Sequence, residues 1–350
     1  PNNSRYVRYY NKNNSYNDNI INTVSRAGIF TGYEEDGNIV GNRIYAVNGA
    51  CGNDAGGIIL GGDARTLKFG YNNLRMYVSG NEISGIKGYT NIYGIKIEQS
   101  FVEFTNLEKT YSFPDEAENM KLINNIIWGF EPELQAVNVI GLALLTERKN
   151  ANNWANMEFE AKNLNYYTRN DLLSNNTIFL LDDKIVNTGA VLAAAIFNTK
   201  NAQIFNNAIA IDDPFINANN PVTAAFFYYG LHPNKGGITT DRNAYWIKSA
   251  DASIFRFIEV DPQGRILEQG YKREFVTMDQ WQQWTQQDWY SVFGDFAKDY
   301  EKAGSAPFMM RVKSSPVPLG SVLNNRGIVL EENTYRSEER RVGKECRSRW

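Results

Sequence analysis

The sequence predicts an all-β solenoid, in which short strands and corners stack coil upon coil along one axis. Three observations predict it. A short phrase recurs along the first two-thirds of the chain: a few strand-forming residues, then Asn, any residue, and Ile or Tyr. Stretches such as Leu74-Arg-Met76-Tyr-Val78 and Ile92-Tyr-Gly-Ile95-Lys-Ile97 alternate with period two, the pattern of a strand with one buried face. Helix-length stripes of period 3.6 are scarce before residue 250, where asparagine is heavily over-used.

In chain order the phrase reads Asn42-Arg-Ile44, Asn81-Glu-Ile83, Asn125-Ile-Ile127, Asn176-Thr-Ile178, Asn207-Ala-Ile209 and Asn243-Ala-Tyr245. Gly41, Asn124, Asn175 and Asn206 precede four of these asparagines. Asn and Gly tolerate left-handed backbone, and stacked amides can bond to one another. The spacing is roughly 30–45 residues, or about half of the widest gap if Asn153 marks a poor rung between Asn125 and Asn176. A constant phrase at irregular spacing suggests fixed strands and variable loops. Turn asparagines in a β-sandwich are the competing reading, but sandwich strands would not repeat one phrase.

After Asn243 no asparagine occurs until Asn324, so a boundary is expected near residue 250. Beyond it, Phe255–Val260 and Arg265–Gln269 flank Asp261-Pro-Gln-Gly264, the signature of a hairpin with a type I turn. Thr277-Met-Asp-Gln280 is a capping box with Val276 and Trp281 at staple positions, predicting a short helix through Trp284. Trp281 and Trp284 read as packing residues rather than a sugar-stacking platform.

The 350 residues carry a formal net charge of −3 and one histidine, His232. No basic field favours nucleic acid, His-rich metal sites are excluded, and a Ser-His-Asp arrangement would have one available base. No apolar run reaches the roughly 18 residues of a membrane helix. Phosphate-loop, dinucleotide, nucleophile-elbow and zincin motifs are absent from the sequence.

The ends read differently. The chain opens at Pro1 with no signal-peptide pattern, as a trimmed or internal piece would. Arg336–Trp350 is charged and apolar-poor, and resembles a translated sequencing-library adapter. It holds 6 of the 36 basic and 3 of the 39 acidic residues, leaving 30 against 36, or −6. It also holds Cys346, leaving Cys51 alone and ruling out an intrachain disulfide in the remainder. The expected organisation is therefore residues 1–250 as Asn-rich coils, 251–335 as hairpin, short helix and closing coil, and 336–350 as a non-native tail.

Leu122-Ile-Asn-Asn-Ile-Ile127, Ile204-Phe-Asn-Asn-Ala-Ile209 and Asp241-Arg-Asn-Ala-Tyr-Trp246 resemble right-handed, single-stranded parallel β-helix proteins of the pectin-lyase-like kind. The similarity spans roughly residues 20–320. Trp281-Gln-Gln-Trp284-Thr-Gln-Gln-Asp288 resembles a segment near the ends of secreted bacterial β-helices, where a closing coil with Ser-Pro follows, matched by Ser315-Pro316. The resemblance implies a secreted or cell-surface protein that acts on, or attaches to, polysaccharide.

Carboxylates follow three of the asparagines by about six residues: Glu131 and Glu133, Asp182 and Asp183, Asp212 and Asp213. Equivalent positions on adjacent coils lie about 4.8 Å apart, where carboxylates repel unless a cation or water intervenes. Asp182, Asp183, Asp212 and Asp213 are thus the catalytic candidates with Arg242 as the base, and Asp182 and Asp212 the candidate Ca²⁺ ligands. Lys184 and, less favoured, Lys235 are alternative basic residues. Tyr228, Tyr229, His232 and Lys184 are candidate substrate contacts; within Phe226-Phe-Tyr-Tyr229 alternate residues face the core and the others face outward. The same pairs also fit strand-ending aspartates in solvent. The Gly-His-Gly phrase of the family's hydrolases is absent, since Leu231 and Pro233 flank His232.

The leading expectation is a non-catalytic segment that presents a long face to glycans or surface material. A Ca²⁺-assisted lyase, a glycoside hydrolase and a phage tail-spike piece are the alternatives. The expected partner is a polysaccharide or cell-surface glycan, with no nucleic acid and no membrane span.

Overall fold

The structure, a computed structural model, describes residues 10–49, 54–61, 73–99, 102–106, 109–113, 119–133, 137–146, 168–180, 189–212, 223–248, 252–261, 272–303 and 309–312. Within them the chain is an all-β parallel β-helix built from three long sheets. Sheet one stacks Ser15–Asn17, Asn38–Val40, Tyr77–Ser79, Lys121–Ile123, Leu172–Ser174, Gln203–Phe205 and Thr239–Asp241. Sheet two runs from Ile20–Ser25 through Arg43–Asn48, Glu82–Gly88, Ile126–Ile127, Thr177–Leu180, Ala208–Ile211 and Ala244–Ile247 to Val292–Phe293, with Phe130–Pro132 also pairing onto Glu82–Gly88. Sheet three stacks Ala27–Thr31, Ala55–Leu60, Asn91–Gln99, Asn138–Thr146, Val191–Phe197, Thr223–Gly230 and Ser253–Glu259. Every pairing between successive coils in these sheets is parallel and in register.

The asparagine phrase is the corner between sheets one and two. Each corner has two residues. The first takes positive φ: Asp18, Gly41, Gly80, Asn124, Asn175, Asn206 and Arg242. The second is Asn19, Asn42, Asn81, Asn125, Asn176, Asn207 or Asn243, and its amide points along the stack. Asn125 shows the pattern. Its Oδ1 accepts from the backbone N–H of Asn81 at 3.1 Å and from Asn81 Nδ2 at 2.9 Å. Its Nδ2 donates to Val78 O and to Asn176 Oδ1, both at 3.0 Å. Two donors and two acceptor sites are thus filled without water. The pattern repeats from Asn42 to Asn207, and Asn19 bonds Asn42 at 2.9 Å.

Two sequence expectations are corrected here. Asn125 bonds Asn176 directly across 51 residues, so that gap is one coil and Asn153, which lies outside the described residues, is not an intervening rung. Asn19-Ile-Ile21 is a further rung, with the same phrase.

Inside the corner, Ile21, Ile44, Ile83, Ile127, Ile178, Ile209 and Tyr245 form one column in sheet two. Sheet three answers with a column of small residues. A Cβ on Gly57 would lie 2.2 Å from Ile83 Cγ2, on Gly94 2.3 Å from Ile127 Cγ2, and on Gly141 2.5 Å from Ile178 Cγ2. The glycines let the two walls close on the isoleucines. Where Ala193 and Ala225 continue the column, the interior is filled instead by Phe226, Tyr228, Phe255 and Phe257, all buried.

The composition boundary at residue 250 does not end the parallel stack, since Ser253–Glu259 continues sheet three and Val292–Phe293 continues sheet two. The hairpin is present with a different return strand. Ser253–Glu259 pairs antiparallel with Lys272–Phe275, in the register Ile258 to Lys272; a tight turn at Asp261–Gly264 would bring Leu267 opposite Ile258, so the return strand is displaced by five residues, and Arg265–Gln269 lies outside the described residues. Helix α1 (Pro233–Gly236) joins sheets three and one. Helix α2 (Met278–Thr285) carries the expected capping box: Thr277 Oγ1 accepts from Gln280 N–H at 3.4 Å and Gln280 Oε1 accepts from Thr277 N–H at 3.3 Å. The staple does not form. Val276 is exposed, while Trp281 turns into the coil interior and is fully buried.

Candidate functional site

Trp281 plugs the C-terminal end of the stack. Its ring centre lies 3.9 Å from that of Phe255 and 5.8 Å from that of Tyr228, stacked nearly parallel to both, and its Nε1 donates to Asp288 Oδ2 at 2.8 Å. Asp288 Oδ1 accepts from Ser291 Oγ at 2.6 Å and from Asn243 Nδ2 at 3.3 Å. Ser291 Oγ accepts from the Asn243 N–H at 2.9 Å, so Ser291 stands where the next ladder asparagine would be. Burial pushes the Asp288 carboxyl above the usual aspartate range, against the hydrogen bonds that lower it. Burial, reinforced by the Asp288 charge, likewise raises the Tyr228 and Tyr245 phenols.

The predicted cluster divides. Asp182, Asp183, Lys184 and Asp213 lie outside the described residues. Asp212 follows the sheet-two strand Ala208–Ile211 and pairs with Lys248 Nζ at 2.7 Å, because Ile211 and Ile247 are in register. Its cation is Lys248, which the sequence reading overlooked. Arg242 sits instead at an asparagine corner with φ 55°, its guanidinium 4.8 Å from the Tyr290 ring centre. Glu131 pairs with Lys87 at 2.7 Å, and Glu133 is exposed. Among the described residues no group of three or more His, Cys, Asp or Glu side chains is placed to hold a metal ion.

Tyr228 and Tyr229 face opposite sides of sheet three, as strand alternation requires, yet both are buried. Tyr228 lies in the interior stack beside Phe226. Tyr229 packs with Phe197 and Phe227 in a second apolar cluster on the sheet's outward side. Neither ring offers an open face to a saccharide, which corrects their expected role as substrate contacts.

His232 caps α1: its Nδ1 accepts from the Asn234 N–H at 3.3 Å. Its ring lies 4.3 Å from Trp284, which is also flanked by Phe257 and Phe275, each at 5.0 Å, and by Arg273. Burial holds the imidazole below its ordinary pKa, while Glu259 pulls the other way. Trp284 is therefore a packing residue. Lys235, in the last turn of α1, is exposed.

Two buried charged sites escaped the sequence reading. Lys96, on sheet three, contacts Asp54 at 2.8 Å and Glu98 at 2.7 Å beside the Tyr93 ring. Asp54 also accepts from Asn91 Nδ2 at 2.8 Å, and Asn91 accepts from Asn138 at 2.6 Å, a second short amide ladder. Asp171 accepts from the Met120 N–H at 3.1 Å and from Thr199 Oγ1 at 3.0 Å. Burial raises its pKa to about 7.

These features define a class: an all-β solenoid whose buried polar groups are spent on holding coils together. Comparison with family models, curated proteins and solved structures found no match for this chain. Among the described residues no helix is long and apolar enough to cross a membrane.

Proposed function

We propose that the chain is a non-catalytic scaffold from a secreted or cell-surface β-helix protein, presenting an extended face to glycan or neighbouring surface material. The observation that carries this reading is the contrast between two corners. Between sheets one and two the chain always spends two residues, the second an asparagine. Between sheet three and the next sheet-one strand it runs from Leu60 to Tyr77, from Gln99 to Lys121 and from Thr146 to Leu172, but only from Phe197 to Gln203. One corner is fixed while the other tolerates segments of very different length, all anchored along one edge. Repeat scaffolds carry variable recognition segments in this way. The described catalytic candidates support the same reading, since Asp212 is in an ion pair and Arg242 packs on Tyr290.

The test replaces residues 147–167 by a short linker and measures retention on immobilised polysaccharides. Lost or altered retention with an unchanged β-sheet spectrum is expected, and Asp212→Ala should leave retention intact. Unchanged retention in the linker variant, together with its loss in Asp212→Ala, would move the function to the carboxylates.

A further inference from the structure

Lys96, in the middle of sheet three, touches two buried carboxylates at once. Its Nζ lies 2.8 Å from Asp54 Oδ2 and 2.7 Å from Glu98 Oε2. The three side chains are only 3%, 10% and 8% exposed. Glu98 Oε2 is buried and has no well-directed hydrogen bond. The Tyr93 ring, its centre 5.0 Å from Nζ, forms an apolar wall beside the amine.

The register explains how these groups meet. Ala55 pairs with Ile92 on the next coil, so Asp54, one residue earlier, falls beside Asn91. Asn91 Nδ2 donates to Asp54 Oδ1 at 2.8 Å, and Asn91 Oδ1 accepts from Asn138 Nδ2 at 2.6 Å. Asn138 Oδ1 in turn accepts from the Ala190 N–H at 2.8 Å. This ladder fixes the Asp54 carboxylate with Oδ1 toward an amide donor and Oδ2 toward the amine. Lys96 and Glu98 are two residues apart on one strand and therefore share a face.

We propose that Lys96 and Asp54 condense to an intramolecular isopeptide bond, with Glu98 carrying the protons. Removal from water makes an ion pair costly to keep, and water that would reverse the reaction is excluded. Glu98 takes one proton from the Lys96 ammonium and passes it to Asp54 Oδ2. The free Nζ attacks Asp54 Cγ, and the charge that develops on Oδ1 meets the Asn91 amide. Glu98 then moves a second proton from the nitrogen to Oδ2, the Cγ–Oδ2 bond breaks, and water leaves. Ammonium and carboxylate have become amide and water, Glu98 ends as it began, and no oxidant or co-reactant enters. Reactants held in such contact react as though at effective concentrations on the order of 10⁵–10⁸ M. The product staples successive coils of sheet three across 42 residues of sequence, a cross-link that limits the unfolded chain.

Intact-mass measurement and peptide mapping of the full chain test this. The protein should weigh one water less than its sequence, and digestion should release one branched peptide joining Asp54 to Lys96. Lys96→Arg keeps the charge without a nucleophilic amine and should restore the sequence mass. Glu98→Gln should restore it too, with an unchanged β-sheet spectrum. A wild type that keeps its full sequence mass after prolonged incubation overturns the proposal. So does water loss that persists in Lys96→Arg, which would come from an aspartate cyclising on its own backbone. A branched peptide that has lost ammonia makes an asparagine the acyl donor and overturns the assignment to Asp54. A fully cross-linked Glu98→Gln overturns the role of Glu98. If Lys96→Arg unfolds, Asp54→Ser serves in its place, with the full sequence mass again expected.

Discussion

Trp281 and Asp288, seven residues apart, close the solenoid together: the indole fills the interior and its N–H bonds the carboxylate that ends the asparagine ladder. Hydrophobic closure and polar closure therefore meet in one bond. Trp281→Phe keeps most of the ring stack but leaves Asp288 Oδ2 without this donor. A loss of about 1–3 kcal/mol is expected, read as a lower denaturation midpoint with unchanged secondary structure. Asp288→Ala should cost more, because Trp281 Nε1 and Ser291 Oγ both lose their acceptor and Asn243 Nδ2 loses one of three.

The ladder predicts a gradient along the stack. Asn125→Ala leaves the buried N–H and one amide hydrogen of Asn81 without their acceptor, takes the amide donor from Val78 O, and leaves Asn176 Oδ1 with only the backbone N–H of residue 125 from this coil. Each orphaned buried group costs roughly 1–3 kcal/mol, so the variant should lose several kcal/mol in urea unfolding. Asn19→Ala removes only the single side-chain bond from Nδ2 to Asn42 Oδ1 at the outer coil, while the backbone N–H of residue 19 still donates to the same oxygen, so the loss should be clearly smaller. Equal losses at both positions would contradict the ladder as a cooperative buried element.

The glycine column makes a steric prediction. In Gly94→Ala the new Cβ would stand 2.3 Å from Ile127 Cγ2 and 2.4 Å from Gly141 O, and the second contact is backbone. Overpacking of this kind typically costs about 1–3 kcal/mol, occasionally more. Pairing it with Ile127→Val should recover part of the loss, as the double variant's melting temperature would show.

Stability should fall as pH rises toward neutrality. Asp171 has an ordinary pKa of 3.8, raised to about 7 by burial, so the folded state holds a proton that the unfolded chain releases. Its stabilising contribution is complete below about pH 4 and is lost as pH climbs through about 7. Asp288 shifts in the same direction. Asp171→Asn mimics the neutral acid and should flatten the melting temperature between pH 5 and 8; an unchanged slope would place the effect elsewhere.

The sequence displayed the solenoid because its most constrained corner selects asparagine, whose carboxamide both donates and accepts twice on a side chain short enough to bond the equivalent amide one coil away. The capping box at Thr277 was legible for the same reason: local geometry demands those residue types. The glycine column was hidden although it was present in phrases such as Tyr93-Gly-Ile95. What forbids a side chain there is the isoleucine across the interior, and a single strand does not reveal its opposite wall. The burial of Asp288 and Lys96 was not legible in the sequence, because it is decided by coil stacking. Asp212 was found, but Lys248 was missed, since their pairing depends on a register fixed 36 residues apart. Tyr228 and Tyr229 failed as ligand contacts because both faces of sheet three are buried.

The most direct test of a scaffold rather than a catalyst is one incubation of the full chain with acidic and neutral polysaccharides, with Ca²⁺ and with chelator. Unsaturated-product absorbance, reducing ends and co-sedimentation would be followed together. The account predicts co-sedimentation without product, unchanged in Asp212→Ala, whose half-exposed ion pair with Lys248 contributes little to stability. Ca²⁺-dependent unsaturated product that disappears in Asp212→Ala would contradict it.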